Sequence, residues 1–134
     1  MDLSNRVAIV TGSGRGIGRA IALRLAEAGA TVVVNSVSES AQSVAEELKG
    51  LNRQGMAIIG DVSSTADVTR LVDQTTSTYG KVDILVNNAG ITRDQLLLRM
   101  SDEDWDRVLN VNLKSVFLCT RAALRPMIRQ RWGR

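Results

Sequence analysis

Two rhythms of apolar residues alternate along this chain. Short runs, apolar but for Thr31 and Asp83, occur at 7–10, 31–34, 56–59 and 82–86, and between them apolar residues recur three and four positions apart. The runs fit strands covered on both faces, and the longer intervals fit helices with one buried stripe. The pattern predicts a strand over 6–11, then a helix over 19–28 with Ile17, Ile21, Leu25 and Ala28 on one face and Gly29 closing it. A second strand at 31–34 leads to a helix opened by Ser38-Glu39-Ser40, with Ala41, Val44, Ala45 and Leu48 facing inward. Glu39 is assigned to that helix's first turn as a cap, where an acidic side chain suits the dipole. The third strand, 56–59, closes at Gly60-Asp61; Ser63-Ser64 caps a helix whose Val68, Leu71 and Val72 face inward and which ends at Tyr79-Gly80. The fourth strand is 82–86. Residues 91–100 read as irregular or a short helix. Ser101 then caps a long helix whose apolar face is Val108, Leu109, Leu113, Val116, Phe117, Leu124 and Ile128, with Pro126 expected to kink or end it.

Strand and helix thus alternate four times. That order defines an α/β protein, a doubly wound parallel sheet with helices on both faces, and strand order 3-2-1-4 satisfies right-handed crossovers. Residues 1–134 form one domain, without repeat or linker. Composition narrows the function classes. Aromatics are only 3% of the chain, which argues against a nucleic-acid stacking platform. With no His, the commonest metal ligand is missing and no metal site is expected. Cys119 is the only cysteine, so no intrachain disulfide forms, and a cytoplasmic location is expected. Residues 1–6 have no apolar signal segment, and no apolar run reaches the length of a membrane span.

The chemistry concentrates after the first strand, in Thr11-Gly12-Ser13-Gly14-Arg15-Gly16-Ile17-Gly18. A strand, a glycine turn and a helix together point free backbone N–H groups at a phosphate. The spacing is T-G-x-x-x-G-x-G rather than G-x-G-x-x-G, and no Lys-Ser/Thr pair follows as a Walker loop requires. Gly12 makes the sharp exit from the strand, Gly16 admits phosphate to the backbone, and Gly18 allows close packing of the helix. The second strand ends in Asn35-Ser36, with no acidic residue to bind a ribose 2′-hydroxyl, while Arg15 supplies a cation for a 2′-phosphate. Both features point to NADP(H) rather than NAD.

Thr11 to Gly18, Asp61-Val62, Asn87-Asn88-Ala89-Gly90 and Asn112 occur in an order and spacing that resembles the short-chain dehydrogenase/reductase family. Asn87 through Asp106, with Val116-Phe117, looks most like its 3-oxoacyl-[acyl-carrier-protein] reductases. The resemblance implies NADPH-dependent reduction of a 3-oxoacyl thioester in fatty acid synthesis. It implies that Asp61 bonds the adenine amino group, that Val62 lies beside the ring, and that Asn88, Ala89 and Gly90 border the cofactor ribose. Asn112 takes the family's catalytic Asn position, holding a water. The family also uses a Ser and a Tyr with a Lys four residues on; Tyr79 is the only tyrosine here and Asp83 stands four residues after it. The expectation is therefore the N-terminal half of a reductase, stopping before the fifth strand, inactive alone, and leaving its fourth strand as an apolar edge. Arg121, Arg125 and Arg129 form a stripe on the long helix, and Arg129 and Arg131 are candidates for docking acidic acyl carrier protein, against the plainer reading of a solvated face. The resemblance further implies a homotetramer built through this helix in the full-length form. Two alternatives stay open: a non-catalytic NADP-binding half-domain, and another short-chain reductase acting on a sugar, steroid or polyol.

Overall fold

The computed structural model describes residues 2–134. Four strands, β1 (Val7–Val10), β2 (Thr31–Ser36), β3 (Gly55–Ile59) and β4 (Ile84–Val86), form one parallel sheet in the order β3-β2-β1-β4. The register pairs Val7 with Thr31, Ala8 with Ile84 and Val32 with Gly55. Helices α1 (Gly16–Glu27), α2 (Ser40–Gly50) and α3 (Thr65–Tyr79) provide the crossovers, and α4 (Asp102–Leu109) and α5 (Ser115–Arg129) follow β4.

Alternation along the strands divides the core. Val10, Val32 and Val34 face α1 and α2, packing with Ala22, Ala26, Val44 and Leu48. Ile9, Val33 and Ile58 face α3 and α5, packing with Leu71, Val72, Ala123 and Met127. Both sheet faces are covered, which is why the strands read as continuous apolar runs rather than alternating ones. Caps hold the helix ends where the sequence places them: Ser64 Oγ accepts from the Asp67 N–H, Ser101 Oγ accepts from the Asp104 N–H, and Gly80 closes α3 in the left-handed region.

Several expectations need correction. Helix α1 begins at Gly16 and buries Gly18, Ala22 and Ala26, while Ile17 is 76% exposed. Ala22 and Ala26 face the sheet because their small side chains let the helix lie close to it. Strand β2 runs to Ser36, and β4 is only three residues long. Glu39 sits at the N-cap of α2 but its side chain makes no capping bond. The long helix is two helices joined by a π-turn, Asn110–Lys114, and α5 continues through Pro126 to Arg129. Its sheet-facing stripe is Val111, Ser115, Leu118, Cys119, Ala123 and Met127. The face expected to be inward is outward: Leu109, Leu113, Val116, Phe117, Leu124 and Ile128 are 36–70% exposed and line an open groove of about 710 Å³ along most of their length. Nor is the outer edge of β4 bare, since the Arg134 backbone donates to Asp83 O and accepts from the Leu85 N–H, both at 3.0 Å.

One buried charge escaped the sequence reading. Asp83, only 2% exposed, accepts from the Val7 N–H at 2.9 Å and pairs with Arg6 and Lys81 at 3.2 Å each. Arg6 also stacks on Trp132, 3.6 Å from the ring centre, and Gln130 Nε2 donates to Val82 O and Trp132 O. This cluster ties the entry to β1, the start of β4 and the turn after α5.

Candidate functional site

The carboxyl ends of the strands open into a cleft of about 530 Å³, where doubly wound sheets hold their ligands. The β1–α1 turn forms one wall, the β2–α2 turn and Gly60–Val62 the mouth, and Asn88–Ile91 with Arg107 and Val111 the opposite wall. Of the candidate cofactor residues, Gly12, Gly14, Arg15, Gly16, Ile17, Gly18, Asn35, Ser36, Asp61, Val62, Asn88, Ala89 and Gly90 all line it. Ser13 does not. It is wholly buried behind the turn, its hydroxyl donating to Val10 O at 2.6 Å and accepting from the Asn35 N–H at 3.1 Å. Ser13 fastens the turn to β2.

Each glycine meets a different constraint. Gly12 has φ +62°, and a Cβ there would come within 2.7 Å of the Ala89 backbone. At Gly18 a Cβ would collide with Gly12 O and the Asn88 amide, so this glycine packs the helix against the turn and the β4 exit rather than against the strands. Asn88 secures that contact by donating from Nδ2 to Thr11 O (2.9 Å) and Gly12 O (3.1 Å). Gly16 has φ +55°, yet no protein atom lies within 4 Å of where its Cβ would be. That open space, beside an α1 N-terminus that no side chain caps, suits the pyrophosphate of a dinucleotide.

Asn35 is 2% exposed, and its Nδ2 donates to Ile58 O and Gly60 O at 3.1 Å each, so its amide pins β2 to β3 instead of facing a ribose. The polar mouth of the cleft comes from Ser36, Ser38 and Ser40, whose hydroxyls interlink at 2.9–3.1 Å beside Gly14 and Arg15. Ser38 and Ser40 read only as helix-start residues in the sequence, so their part in the cleft was hidden. Arg15 has no ion-pair partner among the described residues. Glu39 does not line the cleft, and among the described residues Asp61 is the only acidic one that does.

Asp61 is already engaged. Its Oδ1 accepts from the Ser63 N–H (2.9 Å) and hydroxyl (2.6 Å), and its Oδ2 from Arg107 Nη1 at 3.0 Å. Partial burial pushes its pKa up, but the Ser63 bonds and the Arg107 charge together outweigh that and hold it below the usual carboxylate range. Arg107 carried no motif and was missed; only its place across the cleft reveals it.

Asn112 lies in the π-turn, a rare geometry that recurs at functional sites. Its Oδ1 accepts from the Ile91 N–H and its Nδ2 donates to Ile91 O, both at 2.8 Å. It therefore braces the loop that leaves β4, keeping one lone pair and one N–H free. Tyr79 is remote from the cleft at the end of α3, where burial raises its phenol's pKa.

This cleft and sheet order define a Rossmann-like α/β domain. The short chain dehydrogenase family model matches residues 6–134, and the chain belongs to that family. The chain is 49% identical over 138 aligned positions to the 3-oxoacyl-[acyl-carrier-protein] reductase of Aquifex aeolicus, with 100% of this chain and 55% of that protein covered. It is 42% identical over 134 positions to the Escherichia coli protein of the same name, covering 100% and 54%. Among solved structures, a gluconate 5-dehydrogenase from Burkholderia cenocepacia in complex with NADP and tartrate superposes with a TM-score of 0.91 at 39% identity, covering 98% of this chain and 52% of that one. The chain spans about half the length of the curated relatives it matches.

Proposed function

We propose that this chain is the nucleotide-binding portion of an NADPH-dependent oxidoreductase that reduces 3-oxoacyl thioesters carried on acyl carrier protein. The observation that carries the reading is the cleft itself: an uncapped helix N-terminus behind a glycine with open space, flanked by an unpaired arginine and three hydroxyls. Gly16 and the first turn of α1 would hold the pyrophosphate, Arg15 with Ser36 or Ser38 the 2′-phosphate, Asp61 and Val62 the adenine, and Asn88 to Gly90 the ribose. When bound, the nicotinamide supplies hydride chemistry. The reductases of Aquifex and Escherichia support the substrate class.

Reducing a ketone also requires a proton donor near the alkoxide. The single tyrosine has Asp83, not Lys, four residues on, and burial makes its phenol a poorer acid. These 134 residues are therefore proposed to bind the dinucleotide without turning over, with Asn112 contributing the loop brace and a water site to a longer enzyme. Cytoplasmic location, self-association through the outward apolar face of α4 and α5 into a tetramer, and docking of acyl carrier protein at Arg129 and Arg131 belong to the same proposal. The test is NADPH oxidation with an acetoacetyl thioester. The chain alone should give none, whereas an extension supplying Ser, Tyr and Lys should restore it; turnover by the bare chain would contradict the role given to Tyr79. A second reading, a sugar-acid dehydrogenase, is favoured by the gluconate 5-dehydrogenase likeness, and oxidation of gluconate by the extended protein in preference to reduction of the thioester would establish it.

A further inference from the structure

The positive excess of this chain is concentrated at one end of the sequence. Residues 115–134 hold five arginines and no acidic residue, whereas residues 1–114 hold the other 12 of the 17 cations against all 14 acids. Three of the five, Arg121, Arg125 and Arg129, recur every four residues along α5, which sets them about 6 Å apart. None of the three forms an ion pair among the described residues.

All three line the groove between α3 and α5, which holds two adjoining cavities of about 200 and 340 Å³. Arg125 lines both, Arg121 the first and Arg129 the second. The buried Val68, Val72 and Leu118 form an apolar floor, and low-dielectric walls of this kind focus the field of the charges beside them. Across the groove the chemistry is reversed. Asp73 lines both cavities, is the only acid to do so among the described residues, and pairs with no cation there. Thr69 Oγ1 donates to Thr65 O at 2.9 Å and Thr76 Oγ1 to Val72 O at 3.0 Å, so each has spent its one proton. The arginines on α5 only donate, and Asp73, Thr69 and Thr76 on α3 offer only lone pairs.

A ligand that satisfies both walls carries anionic oxygens on one edge and hydroxyl donors on the other. We propose that this groove binds a phosphorylated sugar, with its phosphate on Arg125 and a neighbouring arginine and its hydroxyls donating to Asp73. Arginine suits the phosphate because its planar fork meets two phosphate oxygens at once. A bare anion faces Asp73 with no proton to give it and is repelled. A neutral sugar leaves the guanidiniums unanswered. A protein helix, about 10 Å across, is too wide for cavities of this size. The groove shares no lining residue with the dinucleotide cleft, so the inference stands independently of the function proposed for that cleft.

The experiment titrates the full 134-residue chain, isotope-labelled for NMR, with glucose 6-phosphate and with inorganic phosphate at fixed ionic strength. Affinities are read from the amide shifts of α3 and α5, and separately from those of Gly16 and Gly18. On α3 and α5 the parent should prefer glucose 6-phosphate by about tenfold or more, since the two ligands carry like charge and only the sugar donates to Asp73. Arg125→Gln should weaken both ligands by about tenfold, the worth of a charge-assisted hydrogen bond. Arg53→Gln removes an equal charge from a residue that lines neither cavity, and should change both by less than about twofold. Asp73→Ala should bring the two ligands to within about threefold of each other. Asp73 and Arg125 are both exposed, so these changes leave the core intact. Equal binding of the two ligands by the parent, or a preference that survives Asp73→Ala, would overturn the assignment to a sugar. An Arg53→Gln loss as large as that of Arg125→Gln would reduce the groove to an effect of net charge and overturn the site. Shifts confined to Gly16 and Gly18 would overturn it while supporting the dinucleotide cleft, and no shifts at all would overturn it without touching that cleft's titration with NADP.

Discussion

Residues 31–80 and residues 82–134 obey the same hydrophobic rule with opposite results. In the first stretch, the stripes read from spacing on α2 and α3 are the buried ones: Ala41, Val44 and Leu48, then Val68, Leu71 and Val72. In the second, the most apolar stripe of α4 and α5 faces outward, and the sheet is met by smaller residues, Ser115, Cys119 and Ala123. Apolar periodicity states that a face is to be covered; it does not say by what. On α5 two faces are apolar, and the one that carries Ser115, Cys119 and Ala123 beside Leu118 and Met127 lies inward.

Neighbouring residues on α5 put this contrast to its sharpest test. Leu118→Ala should cost about 3 kcal/mol, since it empties a buried site between α3 and α5, and urea unfolding measures it. Asp83→Ala should come next, at about 2 kcal/mol: it leaves the Val7 N–H unpartnered, but its two cations are each about a third exposed and recover solvation. Ser64→Ala should cost about 1 kcal/mol by removing the α3 cap. Phe117→Ala, one residue from Leu118 but 57% exposed, should change the stability of dilute protein by less than about 0.5 kcal/mol. It should also reduce any self-association seen by sedimentation. If Phe117→Ala proved the costlier of the two α5 changes in dilute protein, the assignment of the faces would be reversed.

Acid sharpens the comparison between the walls of the cleft. Asp61 is held below the ordinary carboxylate range as described, and Asp67 is lowered by the Asp61 N–H and then by Arg70. Groups whose folded values are depressed add stability above the unfolded value of about 3.9, and that stability is lost as pH falls through the folded values. Arg107→Met should therefore shift the acid limb of the unfolding curve to higher pH, monitored by circular dichroism. Base acts in the reverse sense at Cys119, whose thiol burial pushes up to about 11. Native protein should resist thiol reagents at pH 8 and react only on unfolding.

The sheet order and the caps were legible because strand runs, Ser-led helix starts and glycine ends are local signals. The cleft was largely legible for the same reason, since its glycines and the Asp61 and Asn88 turns sit at strand ends. Three things were not. Asn35 occupies the predicted position but turns into the sheet, because it falls at the last inward-facing place on β2, where the open carbonyls of Ile58 and Gly60 need a donor. Arg107 and Asp83 owe their roles to partners 46 and 76 residues away, and spacing along the chain cannot express such contacts. The Asn110–Lys114 π-turn is invisible to a 3.6-residue period and shows only as a change of face between Leu109 and Ser115.

The proposed function assigns Arg15 the selection of a dinucleotide 2′-phosphate. Calorimetric titration of the chain with NADP and with NAD tests it most directly. Binding of NADP should be at least about tenfold tighter, the worth of a charge-assisted phosphate contact, and Arg15→Ala should erase the difference. Tighter binding of NAD, or no heat with either dinucleotide, would contradict it.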